Sequence, residues 1–433
     1  MASTQPKVID RRLVIVGALL IQLCLGAIYA WSVFTPYLTD PDGPFGFSST
    51  QTQIIFSVSL ATFAVVMVLA GRWQAKAGPR IVALTGGAVL GAGYLLAGFL
   101  GQSFIAQVIF IGLVGGAGIG LAYVCPIAVG VKWYPDKKGL ITGLGVAGFG
   151  FGALIWVYLA GNWGHLLDSM GVLGVFKLYG IIFAAAVIGG STWMVNPPGG
   201  YAPKGWIPPQ PVRLGEKTSE VDYMPAEMLR TKQFFAIWAM FIFSSMAGLM
   251  TIGNIKLFGI DALQERAGLS AVQASAVAGT AMAVFYSLAN GIGRIAWGTI
   301  SDKIGYKLSL VIMCATQGVV MLLFYLMGGT QVLLYLAALL IGFNFGGNFA
   351  LFPLATSDMF GSKNLGLNYG WVFTAYGVGG IVGPIMAGAL RDASLRSGSG
   401  LQGWLAVFVI CGIACLVAAV IGWLLKPPET VAA

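Results

Sequence analysis

GRWQAKAGPR (71–80) and GTISDKIGYK (298–307) lie 227 residues apart, and laying one on the other decides the fold. Each is a short basic link between two apolar runs. Their glycines coincide, Gly71 with Gly298 and Gly78 with Gly305. The same ungapped shift pairs Gly115 with Gly342, Gly120 with Gly347, Pro126 with Pro353, Gly139 with Gly366 and Gly143 with Gly370. A second link, WYPDKKG (133–139), falls on FGSKNLG (360–366). In a chain with 63 glycines no single match means anything. One fixed offset carrying two link motifs and a proline means an internal duplication in parallel orientation.

The composition says what is duplicated. Of 433 residues, 58% are hydrophobic and only 9% charged, and the mean hydropathy is +0.85. A soluble domain needs roughly a quarter of its residues charged to solvate its surface. This chain is therefore an integral membrane protein. A helix needs about 20 mostly apolar residues to cross a bilayer. On that length the chain divides into twelve segments: 13–37, 51–71, 80–100, 104–131, 139–160, 174–195, 234–258, 271–297, 308–328, 331–357, 366–390 and 402–425. The links are short except for 196–233, which is rich in proline and charge and reads as a connector between halves. The expected organisation is all-α: a first six-helix bundle (1–195), a cytoplasmic linker (196–233) and a second six-helix bundle (234–433), related by pseudo-symmetry.

Charge sets the expected orientation. With the N-terminus inside, 18 of the 24 Lys and Arg fall on the cytoplasmic side. They are Lys7, Arg11, Arg12, Arg72, Lys76, Arg80, Lys132, Lys137, Lys138, Lys204, Arg213, Lys217, Arg230, Lys232, Lys303, Lys307, Lys363 and Lys426. Five (Lys177, Lys256, Arg266, Arg391, Arg396) fall on the other side. This asymmetry is the positive-inside pattern. It predicts a multi-pass protein of the cell's inner (plasma) membrane with both termini in the cytoplasm. The run 13–37 is long enough to span and lacks a secretory cleavage site, so it is expected to stay.

Several function classes fall away. The net charge of +9 is explained by topology and gives no phosphate-binding face, so nucleic acid is not expected as a partner. The five cysteines sit in apolar runs without CxxC spacing and read as small buried hydrophobes. The single histidine, His165, lies in a loop, so no histidine metal site exists. No Ser/His, metal or paired-carboxylate constellation supports catalysis, and no cofactor is implied. No soluble domain supports a sensor. GGAGIG (115–120) lies mid-span with no preceding strand, so it reads as close helix packing rather than a dinucleotide loop. Transport remains, with a monomer sufficient for it and the lipid bilayer as surroundings.

One charge sits deep in a span. Arg294 pairs with Met67 at the 227 offset, so the duplicated scaffold did not require it. An intramembrane charge is costly and usually faces a cavity or a partner. Thr280, Ser287, Asn290 and Arg294 fall on one helical face by their spacing, a polar stripe lipid would not tolerate. Position alone admits two roles: an anion anchor, with the bidentate grip a lysine lacks, or a side chain reaching for the nearby interface. All 15 Asp and Glu lie in loops or at span ends, so a buried carboxylate for a cationic drug is absent.

The links after segments 2 and 8, with the two six-span halves, resemble the major facilitator superfamily, although Ala75 stands where an acidic residue is usual and Asp302 keeps it. More narrowly, GAIYAWSVF (26–34), KWYPDKKG (132–139), EMLRTKQFF (227–235), NGIGRIAWG (290–298) and NYGWVFTAYG (368–377) resemble the monocarboxylate transporter and oxalate:formate antiporter group, over essentially the whole chain. The resemblance implies alternating-access transport of a small organic anion, with Arg294 as the carboxylate anchor. It implies pocket tyrosines at Tyr29 and Tyr123 and an aromatic cage at Phe345, Phe349 and Phe373, although ordinary helix packing also explains any one phenylalanine. Two departures matter. Asn290 stands where the proton-coupled carriers of higher organisms have an aspartate, and Tyr376 stands where the oxalate carrier has a lysine. One intramembrane cation therefore implies one carboxylate. The expected cargo is a small monocarboxylate, lactate- or pyruvate-like, moving with a proton; exchange of a dicarboxylate against a monocarboxylate is the alternative. Asn254, with Thr251 and Ala247 on its face, reads as polar lining. Asn344 and Asn348 read equally as lining or as glue between helices. Lys256 is expected near the outer end of segment 7, at a vestibule or interface, with substrate contact the less favoured role.

Overall fold

A computed structural model describes residues 9–135, 138–161, 163–198, 201–203, 222–361, 364–426 and 428. Lys7, Lys137, Lys204, Arg213, Lys217 and Lys363 of the charge pattern, and most of the 196–233 connector, lie outside them. Among the described residues there is no strand. Eleven helices are long and apolar enough to cross a membrane: α1 (Arg11–Val33), α2 (Ser49–Ala77), α3 (Pro79–Leu100), α4 (Phe104–Trp133), α6 (Leu166–Ser191), α7 (Lys232–Ala267), α8 (Ala271–Ile304), α9 (Tyr306–Met327), α10 (Gln331–Phe360), α11 (Leu365–Ser397) and α12 (Gln402–Leu424). The twelfth, α5 (Lys138–Ala160), carries the apolar stretch Val146–Ala160. The protein is all-α with twelve membrane helices in two six-helix bundles. Leucine, isoleucine and valine cover its outside, for example Val65, Leu69, Ile292 and Val420, all more than half exposed or nearly so, as lipid-facing surfaces require.

The duplication is visible as repeated contacts. A Cβ on Gly116 of α4 would strike the Ser59 carbonyl of α2, and one on Gly342 of α10 would strike the Tyr286 carbonyl of α8. Gly120 meets Phe63 and Gly346 meets Asn290 in the same way, one turn further along. Gly91 of α3 lies on Ala184 of α6, and Gly318 of α9 on Gly412 of α12. Partners in each pair stand 226 to 228 residues apart, so the same crossings recur in each half. The link glycines Gly78 and Gly305 also match, with φ of 86° and 82°. Their ψ values are 157° and 151°, a backbone region open essentially to glycine alone. The motif is therefore a chain reversal that only glycine permits.

The halves meet along two long seams, α2 against α11 and α5 against α8. Both are lined by small residues. Gly377 lies on Ala64, Gly380 on Leu60 and Gly388 on Ser49, while Gly150 faces Gly291. At the end of the molecule away from the connector, the α2–α11 seam closes on charge. The backbone N–H groups of Ser49 and Thr50 donate to the Asp392 carboxylate at 2.9 and 2.8 Å, and the Thr50 hydroxyl donates at 2.6 Å. Ser48 is the N-cap of α2, so these two N–H groups belong to its unpaired first turn, where a carboxylate is favoured. Arg391 donates to the Ser49 hydroxyl at 2.7 Å and holds Asp261 with two bonds of 2.8 and 3.0 Å. The Trp404 indole adds a bond to Asp261 at 3.0 Å.

This clamp joins one half to the other through one carboxylate. Asp392→Ala should lower the thermal stability of the purified protein by about 1.5–3 kcal/mol, the worth of hydrogen bonds to a charged group. Asp392→Asn, which keeps one acceptor oxygen, should lose less. A melting midpoint unchanged in Asp392→Ala contradicts the clamp.

Candidate functional site

The helices that meet at the seams bring one aromatic cluster together from both halves. α1 changes at Gly26 from α-helix to a tighter 3₁₀ segment, Gly26–Val33. Gly26 crosses α5 so closely that a Cβ there would strike the Phe149 carbonyl and Gly152. That crossing delivers Tyr29 to the centre, where its hydroxyl lies 2.9 Å from the Tyr376 hydroxyl of the other half. Around this pair the rings pack mostly edge to face, the arrangement aromatic quadrupoles favour. Tyr29 meets Phe149 at 5.0 Å and Phe345 at 5.7 Å between centroids. Phe349 meets Tyr376 at 5.7 Å and Phe345 at 5.4 Å. Phe373 stacks on Tyr376 at 4.9 Å and lies 5.8 Å from Tyr369. Tyr123 touches Phe149 at 5.2 Å and Phe373 at 6.2 Å.

Arg294 enters this cluster from α8. It is 4% exposed, so it does not reach the membrane interface. Its Nε donates to Asn290 Oδ1 at 3.2 Å, and its Nη1 crosses to the Val146 carbonyl of α5 at 2.9 Å. The Phe349 ring lies 3.9 Å from its Cζ, and the Phe149 ring 5.8 Å, so aromatic faces supply part of its compensation. Arginine only donates, so the Asn290 amide is fixed with its oxygen toward Nε and its nitrogen free to donate. Two buried donors then remain without an acceptor, Arg294 Nη2 and Asn290 Nδ2. The access of Arg294 to Val146 depends on Gly150, where a Cβ would sit 3.3 Å from Nε and 3.2 Å from Gly291.

Of the residues selected from sequence, Arg294, Asn290, Tyr29, Tyr123, Tyr376, Phe345, Phe349 and Phe373 come together here. Asn254 stands apart. It donates to the Met250 carbonyl at 3.0 Å, and its helix face also carries Phe258, whose ring packs on Phe324 and Phe408 inside the second bundle. Asn344 and Asn348 are glue: Asn344 donates to Thr316 of α9 at 3.1 Å, and Asn348 accepts from Ser244 of α7 at 2.7 Å. The expected polar stripe on α8 does not survive as one face. A π-helical segment, Ala281–Tyr286, changes the residue count per turn between Thr280 and Ser287, and the Ser287 hydroxyl is taken by the Met282 carbonyl five residues back. Lys256 lies apart from this cluster, buried between helices of both halves. It is 2% exposed within α7.

Phe63 and Phe149 are among the ring residues not selected from sequence. Phe63 lies 5.1 Å from Tyr123, 5.6 Å from Phe373 and 5.9 Å from Tyr376. Phe149 touches Tyr29 and Tyr123. The duplication carried their signal: the 227 offset maps Phe149 onto Tyr376 and Phe63 onto Asn290.

The sequence model of the Major Facilitator Superfamily matches residues 20–384 and again 274–433. The chain belongs to that superfamily. It is 32% identical to the uncharacterized MFS-type transporter YhjX of Escherichia coli (strain K12), over 86% of each chain. It is 28% identical to the oxalate:formate antiporter of Oxalobacter formigenes, over 93% of this chain and 88% of that one. It is 26% identical to apicoplast pyruvate carrier 1 of Toxoplasma gondii, over 82% and 79%. Superfamily members are transporters, and this polar, aromatic centre lies where the two bundles meet.

The Tyr29–Tyr376 pair generates a stability test of this transporter. Either Tyr→Phe change strands the other hydroxyl in an apolar setting and should cost about 1–2 kcal/mol, whereas the double change removes both groups and should be close to neutral. Melting of the two single variants and the double variant gives the coupling. Simple additivity would show that the two hydroxyls do not depend on each other.

Proposed function

We propose that the transporter carries small monocarboxylates of the lactate and pyruvate kind by alternating access, with Arg294 holding the carboxylate. One observation carries this reading: Arg294 Nη2 and Asn290 Nδ2 are neighbouring buried donors with no acceptor. A carboxylate offers two acceptor oxygens, and a guanidinium with an adjacent amide suits them. The rings of Tyr29, Phe345, Phe349, Phe373 and Tyr123 give the small organic tail apolar walls. Tyr376 gives this centre a neutral phenol rather than a second cation, which favours one carboxylate over two. The names of two relatives, an oxalate:formate antiporter and a pyruvate carrier, support a small organic acid as cargo. The connector side faces the cytoplasm of the inner (plasma) membrane on this reading, since most Lys and Arg lie there.

Transport is proton-linked on this reading. No carboxylate bonds the Arg294 cluster among the described residues, and Asn290 cannot titrate. The proton then travels with the substrate's own carboxyl group. The second reading, exchange of one organic anion for another, is favoured by the oxalate:formate relative and needs no proton.

Arg294→Ala should reduce uptake at least about 100-fold in proteoliposomes, the loss of roughly 3 kcal/mol expected for a buried charged hydrogen-bonding group. Arg294→Lys should fall between, because the charge stays and the fork is lost. Near-normal uptake by a folded Arg294→Ala protein would remove the anchor role. A separate experiment decides the coupling. An imposed proton gradient should drive net pyruvate accumulation into vesicles holding no counter-anion. Accumulation only into vesicles preloaded with a second organic anion would instead select the exchanger.

A further inference from the structure

A second cation is buried on the same seam, and the centre just described does not use it. Lys256 of α7 is 2% exposed. It borders a small cavity of about 10 Å³, walled by Val33 of α1, Val157 and Tyr158 of α5, Gly161 just past the end of α5, and Thr280 and Ala283 of α8. Both halves therefore contribute to its surroundings. Among the described residues its ammonium has neither a hydrogen bond nor an ion pair. Tyr158 of α5 shares the cavity wall, and Asp168 stands at the start of α6 without an ion pair to Lys256. Its carboxylate is already held by the Tyr37 hydroxyl at 2.8 Å and by His165 Nδ1 at 3.0 Å. The stretch of α7 around it is buried, and the helix becomes exposed only from Gln264 on, eight residues or about 12 Å beyond it.

Its distance from Arg294 can be read along two helices. On α5, Arg294 bonds Val146 and Lys256 borders Val157, eleven residues or about 16 Å further on. On α8, Thr280 precedes Arg294 by fourteen residues, about 20 Å. Both rulers place Lys256 well away from Arg294, toward the end opposite the connector. An ammonium removed from water without a partner costs several kcal/mol. In a protein that moves anions, the partner that relieves it can be the cargo.

We propose that Lys256 and its cavity form a second carboxylate-binding station, where the small organic anion pairs with the ammonium on its way to or from Arg294. This rests on the transport reading above. The cavity holds no more than a water-sized group in the closed arrangement. Because α5, α1, α7 and α8 all border it, a parting of the halves enlarges it. The ammonium then holds one carboxylate as a point charge, while Arg294 and Asn290 hold it by shape.

Full-length Lys256→Met, Lys256→Arg and Arg294→Ala, with the Arg294→Ala/Lys256→Met double variant, test the station with pyruvate as probe. Lys256→Met should raise the KM for pyruvate uptake about tenfold, a usual consequence of losing one charged contact. Lys256→Arg should stay within about threefold of wild type, because the charge is kept. The melting midpoint of Lys256→Met without anions should rise, since an uncompensated charge is gone; a structural lysine would lower it. Concentrated pyruvate should still raise the midpoint of Arg294→Ala, and should not raise that of the double variant. Unchanged KM in Lys256→Met, a lowered midpoint, or equal pyruvate responses of Arg294→Ala and the double variant each overturn the station while leaving Arg294 transport standing. A wild-type protein that takes up neither pyruvate nor lactate takes down the transport reading, and the station with it.

Discussion

A guanidinium placed where water is scarce must be satisfied by protein, and Arg294 is satisfied only in part. Nε and Nη1 have acceptors, a phenylalanine face lies 3.9 Å away, and Nη2 has nothing. Much of the local backbone exists to make this possible. A Cβ at Gly150 would crowd Nε, and one at Gly346 would strike the Asn290 carbonyl and the Arg294 backbone nitrogen. A Cβ at Gly291 would strike the Phe151 ring of α5. Three glycines on three helices thus let α5, α8 and α10 close around one charge. The Asn290 amide, locked by Nε, leaves its own nitrogen without a partner as well. The two unmet groups at this charge, Nη2 and Asn290 Nδ2, are both donors, and both ask for an acceptor.

The same glycines explain how such a core can open. Contacts between backbones across α2–α11 and α5–α8 are mostly van der Waals, and they part without stranding polar groups. Among the described residues the bonds that do cross are few and of recognisable kinds: the phenol pair, Arg294 to Val146, Gln53 to the Gly253 carbonyl at 3.1 Å, and the Asp392 and Arg391 clamp on the first turn of α2. The clamp sits at one end of the molecule and the arginine toward the other, so separating one end need not break the other's bonds. A seam of small residues with bonds at separate levels suits two bundles that tilt against each other. Bonds spread evenly along it would resist every direction of opening alike.

The fold was legible because its cause is coarse. Composition forces the membrane, segment length forces twelve crossings, and a fixed 227-residue offset carries the pseudo-symmetry, down to paired glycines whose φ values differ by a few degrees. Arg294 was legible because a lone charge in an apolar run has few bland explanations. Phe63 and Phe149 were not, because a ring lining a site and a ring packing a core look identical among 26 phenylalanines; only their offset partners distinguish them. Asn254 was misplaced by treating helix faces without knowing which neighbour each one meets. The stripe on α8 failed because spacing arguments assume 3.6 residues per turn, and six residues of π-helix intervene. Segment 7 was ended at residue 258, whereas α7 continues to Ala267, because its last turns carry Asp261, Glu265 and Arg266.

The two buried cations stand in one relation to each other. They are separated by about 16–20 Å along one seam, in an environment where the described residues supply neither with a carboxylate. A monoanion between them can neutralise only one at a time, so whichever cation it leaves becomes the unpaired one. If Lys256 is the second station, the energy lost at the first site is largely regained at the second, and neither site needs to hold the anion so firmly that it cannot leave. A single deep cation with a fixed carboxylate beside it would have no such need for cargo, and a site with both cations side by side would favour a dianion and hold it. Separation along the seam, with a neutral phenol at Tyr376 where the halves touch, instead suits a small ion carrying one charge that must be both captured and released.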